Sequence, residues 1–522
     1  MTDNNIIYYF CAYFTFFLAY LFVLIDSVHF FQLNSYRHDT HRKWLKENKR
    51  KLISPVIYAV LAFAVYFIPK PFWHQMATVC VFALMSIIKI PARGKKPLVY
   101  TPRVKRMLLT AFIVTAVPLV LVHIFAGDSV AVTGIMCLYI ALSPVMMLVA
   151  DFFNKPMEKS INNGYIKDAK KILKSCPDLT IIGVTGSYGK TSVKYYLNTL
   201  LQTKYNVLMT PESYNTPMGV VKTIRGSLKS THEIFICEMG AKWVGDIKEL
   251  CDIVHPGHGV ITSIGPQHLE SFGSLDNVKK TKFELADSLP QGGYLFLNGD
   301  DENIRDYGCE RPHISYTIDG DGDYNASDIS VSSRGTSFVI TKKDGESETF
   351  TTKLLGRHNV INITGAVAVA NSFGIPMKNL KGAVRKLEGV PHRLALNDNG
   401  AAIVIDDAYN SNPSGSKAAL DVLSLFEEYK IAVTPGMVEL GEKQFELNKE
   451  FGKHMAQVCD YVILVGRKQA VPMKEGLLES GYDEKKIFVA ATVNEAITHA
   501  YALNSKGRKK VILLENDLPD NY

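Results

Sequence analysis

Lys190 stands in T-G-S-Y-G-K-T, residues 185–191, directly after the β-branched run T-I-I-G-V-T at 180–185. A 3.6-period apolar pattern follows at Val193, Tyr196, Leu197 and Leu200. A buried strand, a glycine loop and a helix make a phosphate-binding unit. Gly186 and Gly189 let backbone N–H groups face phosphate oxygens. Lys190 supplies a point charge for β- and γ-phosphates, and Thr191 offers a hydroxyl to Mg²⁺. Thr185, Ser187 and Ser192 complete the nucleotide-binding set. The spacing is not that of the common phosphate loop, because Val184 stands where that motif has glycine. A chance glycine-rich turn is the alternative, and the strand and helix on either side argue against it. Glu238 ends the apolar run 234–237, the place where α/β sheets put ligands. With Thr191 it could hold one Mg²⁺; a capping acid is the plainer reading.

These residues need a scaffold, and the chain repeats one. Apolar strands are expected at 180–185, 234–237, 259–262, 294–297, 403–405, 431–433, 462–465 and 511–514, mostly separated by helical stretches. That alternation predicts α/β architecture with mainly parallel sheets: a P-loop central domain, then a Rossmann-like C-terminal α/β domain. Residues 311–356 are short Thr/Ser/Asp/Gly-rich alternating segments, which predict an antiparallel excursion.

From the phosphate loop onward the chain resembles the Mur ligase family, the ATP-dependent amide ligases of peptidoglycan precursor synthesis. T-G-x-x-G-K-T is the first match. In order follow T-P-E-S-Y-N-T-P-M-G-V (210–220), C-E-M-G-A (237–241), I-G-P-Q-H-L-E-S-F-G-S (264–274), T-K-F-E (281–284) and L-N-G-D-D (297–301). Then come G-R-H-N-V-I-N (356–362), P-H-R-L (391–394), D-D-A-Y-N-S-N-P (406–413) and V-E-L-G-E (438–442). E-M-G-A and D-D-x-Y-N-x-N-P point to the MurF-type branch, which adds D-alanyl-D-alanine.

The resemblance implies roles for these positions. Tyr214, Asn215 and Thr216 belong to the substrate-side loop. His268 becomes a metal ligand beside Glu238 and Thr191; alone, it reads as a structural histidine. Lys282 would be carbamylated, which turns a cation into an anionic ligand; without the motif it reads as a surface lysine on a helix. Asn298 and Asn359 come near the adenine, although Asn359 and Asn362 could also cap a helix. Arg393 would hold phosphate and Asp407 the ribose or a metal-bound water, with Asp406 competing for that role. Tyr409, Asn410 and Asn412 would face the incoming amine. Lys190, Lys282, His268 and Arg393 form the implied catalytic set, with ATP and Mg²⁺ as cofactors.

The first third of the chain departs from that family. MurF-type enzymes begin with a soluble uridine-nucleotide domain, and nothing in residues 1–179 resembles one. Apolar runs at 6–25, 52–68, 72–90, 107–125 and 130–150 instead predict about five membrane spans. Buried core helices are the alternative. The predicted layout is a transmembrane region over 1–150, a basic juxtamembrane connector over 151–179, a central ATP-binding domain over 180–390 and a C-terminal domain over 391–522.

The net charge of +7 on 522 residues could suggest nucleic-acid binding, but its distribution does not. Residues 37–51 carry seven Lys/Arg against two acids, and 93–106 carry six against none. The rest of the chain is slightly acidic, so the excess is a topology signal. It predicts an inner-membrane, multi-pass chain with its N-terminus outside and everything after residue 151 in the cytoplasm. The eight cysteines include no C-x-x-C pair, which fits free thiols in a reducing compartment.

The expected function is therefore an ATP-dependent amide ligase that activates a carboxylate as an acyl phosphate. By resemblance it adds D-alanyl-D-alanine to a muramoyl-tripeptide. One alternative keeps this chemistry on a lipid-linked or other cell-envelope acceptor. Another is a nucleotide-binding regulator without catalysis, which the presence of Lys190, Glu238, His268, Lys282 and Arg393 argues against.

Overall fold

The computed structural model describes residues 3–67, 71–88, 97–126, 129–332, 335–389, 394–408, 412–438, 440–466 and 468–516. The chain divides into two compact units that part after Asn163.

The first unit is helical. Its elements are α1 (Asp3–Leu33), α2 (His38–Glu47), α3 (Lys49–Ala64), α4 (Pro71–Ile88), α5 (Pro102–Ala126) and the start of α6 (Ser129–Lys174). Phe16, Tyr20, Phe31, Phe82, Met107, Met136 and Ile140 form its core. The outward faces are apolar too: Phe10, Leu109, Ile113, Ile124 and Phe125 are exposed. Helices apolar all round are the kind that lipid accommodates. Among the described residues three helices are long and apolar enough to cross a membrane, Phe10–Leu33, Pro102–Phe125 and Val130–Lys174.

The second expected span comes out shorter. Lys49, Arg50 and Lys51 occupy the first turn of α3, which ends at Ala64 and passes into a 3₁₀ turn, Val65–Phe67. The third expected span, 72–90, falls on α4, which runs from Pro71 to Ile88. The connector expected over 151–179 is no separate element: α6 continues to Lys174. Its last turns put Ile166, Ala169, Ile172 and Leu173 against the core of the second unit.

The second unit holds two sheets. The first is built from β1 (Thr180–Thr185), α7 (Lys190–Leu201), β2 (Val207–Met209), α8 (Pro217–Ser227), β3 (Ile234–Glu238), α9 (Asp246–Val254) and β4 (His258–Ile261). It continues through α10 (Leu269–Phe272), α11 (Leu275–Ser288), β5 (Leu295–Asn298), α12 (Glu302–Arg305), β6 (Ile314–Ile318), β7 (Tyr324–Ser332), β8 (Gly335–Lys342) and β9 (Ser347–Thr352). Helices α13 (Arg357–Ser372) and α14 (Met377–Arg385) close this half. The strand order is β2-β3-β1-β4-β5-β6-β7-β8-β9. Pairing is parallel as far as β7 and antiparallel across β7, β8 and β9. The expected antiparallel excursion is thus an extension of the central sheet.

The second sheet contains β10 (Ala395–Asp398), β11 (Ala402–Asp407), α15 (Pro413–Ser424), β12 (Tyr429–Thr434), α16 (Gln444–Val458), β13 (Tyr461–Val465), α17 (Ala470–Glu479), β14 (Ile487–Ala490), α18 (Val493–Ala502) and β15 (Lys510–Glu515). Its order is β10-β11-β15-β12-β13-β14, parallel except at β10. The edge strands β2, β10 and β14 were not expected. They span only three or four residues, and an edge strand need not be apolar on both faces. In each sheet the order doubles back beside a central strand, which opens a crevice at the strand ends.

Candidate active site

Strand β1 delivers the phosphate loop to its position. Gly186 (φ +151°) and Gly189 (φ +76°) take backbone conformations that side chains disfavour. A Cβ on Gly186 would collide with Thr262 Oγ1, and one on Gly189 would lie 2.7 Å from Asn362 Oδ1. The loop is tied to the segment after β4. Ser187 N donates to Ser263 O at 2.6 Å, Ser187 Oγ to Gly265 O at 3.1 Å and Tyr188 OH to Pro266 O at 3.2 Å. Lys190 Nζ folds back to donate to Gly186 O at 2.7 Å and Ser187 O at 3.0 Å. Thr185, expected to touch nucleotide, is fully buried and donates to Met239 O at 2.9 Å.

Beside this loop lies a cavity of about 610 Å³. The first sheet contributes Ser187, Gly189, Lys190, Thr191, Ser192, Asn298 and Asn359 to its lining; the second contributes Asp407 and Asn412. Sequence reasoning missed further lining residues, among them Gln267, Asp300, Asp301, Arg357 and Ser414. Several of them lie one to three positions from a residue that was named, where a sequence gives no orientation.

Glu238 is buried at the end of β3. Thr191 Oγ1 approaches its Oε1 at 3.3 Å and Asn215 Nδ2 at 3.0 Å. Lys194 Nζ, fully buried, lies 2.9 Å from Oε2. Burial works to raise the Glu238 pKa, but the Lys194 and Lys190 cations and the Asn215 hydrogen bond bring it below the usual carboxylate range. The carboxylate is therefore ionised, and its pairing with Thr191 fits a Mg²⁺ ion beside phosphate. Lys194 was also missed, although its place one turn after Lys190 on α7 puts it on the same face.

The other expected ligands are less gathered. Among the described residues no group of three or more His, Cys, Asp or Glu converges to hold a metal. His268 takes the left-handed conformation ahead of α10, and its carbonyl accepts from Ser271 Oγ at 3.0 Å. Lys282 is a buried residue of α11, not a surface lysine. Burial first, then the Lys190 charge, depress its pKa well below 10.5.

Asn359 spends its amide internally, accepting from Tyr196 OH at 2.7 Å and donating to Leu355 O at 2.8 Å. Asn298 Oδ1 accepts from Asp300 N at 3.1 Å. Of the two competing acids, Asp407 lines the cavity and accepts from Leu394 N at 3.2 Å, whereas Asp406 accepts from Ala408 N and is not part of the lining. Asn412 caps α15, accepting from Gly415 N at 2.8 Å. Thr216 caps α8, and Tyr214 OH accepts from Lys222 Nζ at 3.0 Å. Asn215 turns to Glu238. Arg393, Tyr409 and Asn410 lie outside the described residues.

A parallel α/β sheet with a phosphate loop and a strand-end carboxylate, opening onto a second α/β sheet, defines a nucleotide-dependent enzyme of the P-loop class. Family comparison agrees: the Mur ligase middle domain matches residues 184–370, and the Mur ligase glutamate ligase domain matches 392–514. The UDP-N-acetylmuramoyl-tripeptide--D-alanyl-D-alanine ligase of Bacillus subtilis is 34% identical over 331 residues, 60% of this chain and 70% of that protein. The Escherichia coli enzyme of the same name is 28% identical, over 64% and 75% of the two chains. Among solved structures, MurF from Acinetobacter baumannii gives a TM-score of 0.62 at 26% identity, covering 68% of this chain and 77% of that one. MurF from Thermotoga maritima, in complex with ADP, gives 0.60 at 26% identity, covering 68% and 80%. The chain belongs to the Mur ligase family.

Proposed function

We propose that the protein is an ATP-dependent amide ligase that joins D-alanyl-D-alanine to a muramoyl-tripeptide in peptidoglycan precursor synthesis. The observation that carries this reading is the shared cavity, with the phosphate loop on one wall and Asp407 and Asn412 on the other. The names of the relatives support the substrate pair. An acceptor carboxylate oxygen attacks the γ-phosphorus, the bond to the β,γ-bridging oxygen breaks, and ADP leaves. The unprotonated amine then attacks the acyl carbon. A C–N bond forms, the C–O bond to phosphate breaks, and the amine gives up a proton.

Lys190 must leave its own loop carbonyls to meet the transferring phosphate. Thr191 and Glu238 would hold Mg²⁺, which neutralises phosphate charge so that the two anions can meet. His268 would add a ligand to this centre. Asn298 and Asn359 shape the nucleotide end, Asp407 the ribose side, and Arg393 the phosphate. Asn412 and its neighbours Tyr409 and Asn410 serve the amine, and Tyr214, Asn215 and Thr216 the acceptor side. We read Lys282 as a carbamate: only a neutral amine adds CO₂, and its burial favours that form. A carbamate resonance in ¹³C NMR after ¹³C-bicarbonate exchange, absent from Lys282→Met, tests this.

The family match begins at residue 184, and apolar helices precede it. That favours a membrane-anchored enzyme with its N-terminus outside, its catalytic sheets in the cytoplasm and, as a second reading, a lipid-linked acceptor. The deciding experiment gives the purified full-length chain ATP, D-alanyl-D-alanine and either nucleotide-linked or lipid-linked muramoyl-tripeptide, with products identified by mass spectrometry. Ligation with stoichiometric ADP is expected. Absence of product from both acceptors would overturn the assignment and leave a nucleotide-binding regulator.

A further inference from the structure

Lys194 is a fully buried lysine that neither the phosphate loop nor the proposed chemistry uses. A buried ammonium has three donors and no acceptor, and it is stable only where those donors find oxygen. One partner is Glu238 Oε2 at 2.9 Å. Another is the carbonyl of Glu212, in the segment 210–216. Glu212 is left-handed (φ +41°), a conformation that a non-glycine residue keeps when its surroundings hold it.

The same segment is also tied to the end of β3, through backbone groups and through the Glu238 carboxylate. Glu238 N donates to Thr210 Oγ1 at 3.1 Å, and Asn215 Nδ2 donates to Glu238 Oε1 at 3.0 Å. Gly240 N donates to Asn215 O at 2.8 Å. Glu238 is therefore the hub between α7, which carries the phosphate loop, and the loop 210–216. Among these ties the one through Lys194 starts on α7 and reaches both; its neighbour Tyr195 also hydrogen-bonds the Glu212 backbone.

We propose that Lys194 is a positioning residue that couples the phosphate site to the acceptor-side loop. One ammonium aims Glu238 and fixes Glu212, so the loop and the metal-binding carboxylate shift together. Reciprocal linkage follows: whatever settles the loop favours metal–nucleotide binding, and the reverse. The coupling rests on reading 210–216 as the acceptor side; the mechanical tie does not.

The test uses the full-length chain in detergent micelles and two variants, Lys194→Met and Lys194→Met/Glu238→Gln. Amide hydrogen exchange reads residues 210–216, and electron paramagnetic resonance reads the affinity of Mn²⁺ with ADP as probe. Lys194→Met is expected to speed exchange in 210–216 about tenfold while β1 and β3 stay protected. It is also expected to weaken Mn²⁺–ADP binding about tenfold. The double variant buries no unpaired charge, so it should regain thermal stability while its loop stays fast. Unchanged loop exchange in Lys194→Met would overturn the proposal. So would recovery of loop protection in the double variant, because Lys194 would then only neutralise Glu238. If the single variant does not fold, the double variant alone decides. No arm contains acceptor or amine, so failure of ligation and failure of this coupling are separate results.

Discussion

At the scale of residues, charge and burial do the work. Lys190 satisfies its own loop carbonyls in the structure, and a nucleotide phosphate would draw the ammonium outward. Lys190→Ala is expected to retain less than about a tenth of wild-type kcat, a loss of at least roughly 1.4 kcal/mol of transition-state stabilisation. Retention above that level, measured by ADP release, would remove the lysine from the phosphate role.

Lys282 makes a pH prediction. Its folded-state pKa lies well below the ordinary 10.5, so between the two values the unfolded chain binds the extra proton. The folded state therefore gains stability from this group as pH rises toward 10.5 and loses it as pH falls. In CO₂-free buffer Lys282→Met should raise Tm at neutral pH, and the gain should shrink as the buffer approaches pH 10. A gain independent of pH would mean that the lysine is charged in the fold.

At the scale of elements, a loop and a helix end position the chemistry. Gly186 is packed against Thr262 and the Ser263 backbone, so an added methyl must displace the phosphate loop rather than a flexible side chain. Gly186→Ala is expected to lower ATP affinity at least about tenfold, because the loop amides lose their common aim. Titration with a fluorescent ATP analogue measures this.

Helix α15 starts at Asn412-Pro413, a side-chain cap followed by a proline at the first turn. The cap and the cavity wall are one residue. Asn412→Ala should cost about 1 kcal/mol of stability. In the helical unit, Asp151 sits where the apolar run of α6 ends and receives Arg103 at 2.9 Å and His38 at 2.9 Å. Asp151→Ala leaves a half-buried arginine unpaired, which should cost about 2 kcal/mol and show as a lower melting temperature in detergent.

At the scale of the whole molecule, the prediction is topological. Thirteen Lys/Arg in 37–51 and 93–106 bias both segments toward the cytoplasm, and ATP is found on that side. Cys309 belongs to the catalytic unit and is partly accessible, whereas Cys459 is buried and would report poorly. In a variant whose other exposed thiols are replaced, a membrane-impermeant maleimide should label Cys309 only after permeabilisation. Labelling on intact cells would reverse the orientation.

The reach of sequence can be traced residue by residue. Gly186, Gly189, Lys190 and Thr191 were legible because phosphate binding needs a strand, a turn with unusual backbone angles and a helix in immediate succession. That information is local. Strand β1 appears where the β-branched run placed it, and Glu238 ends β3 as the apolar run implied. The membrane-length helices α1, α5 and α6 were legible for the same reason, since hydropathy is summed along the chain.

Orientation and long-range pairing were not legible. Thr185 turns to Met239, Asn359 accepts from Tyr196, and Asn215 faces Glu238, because each obeys a partner more than twenty residues away. Asp406 and Asp407 are adjacent, and alternation along β11 sends only one toward the cavity. Lys194 was passed over because a lysine in a helix is usually solvated. Only the fold brings it to Glu238 and Glu212, where a charge removed from water has to be matched by oxygens from other parts of the chain.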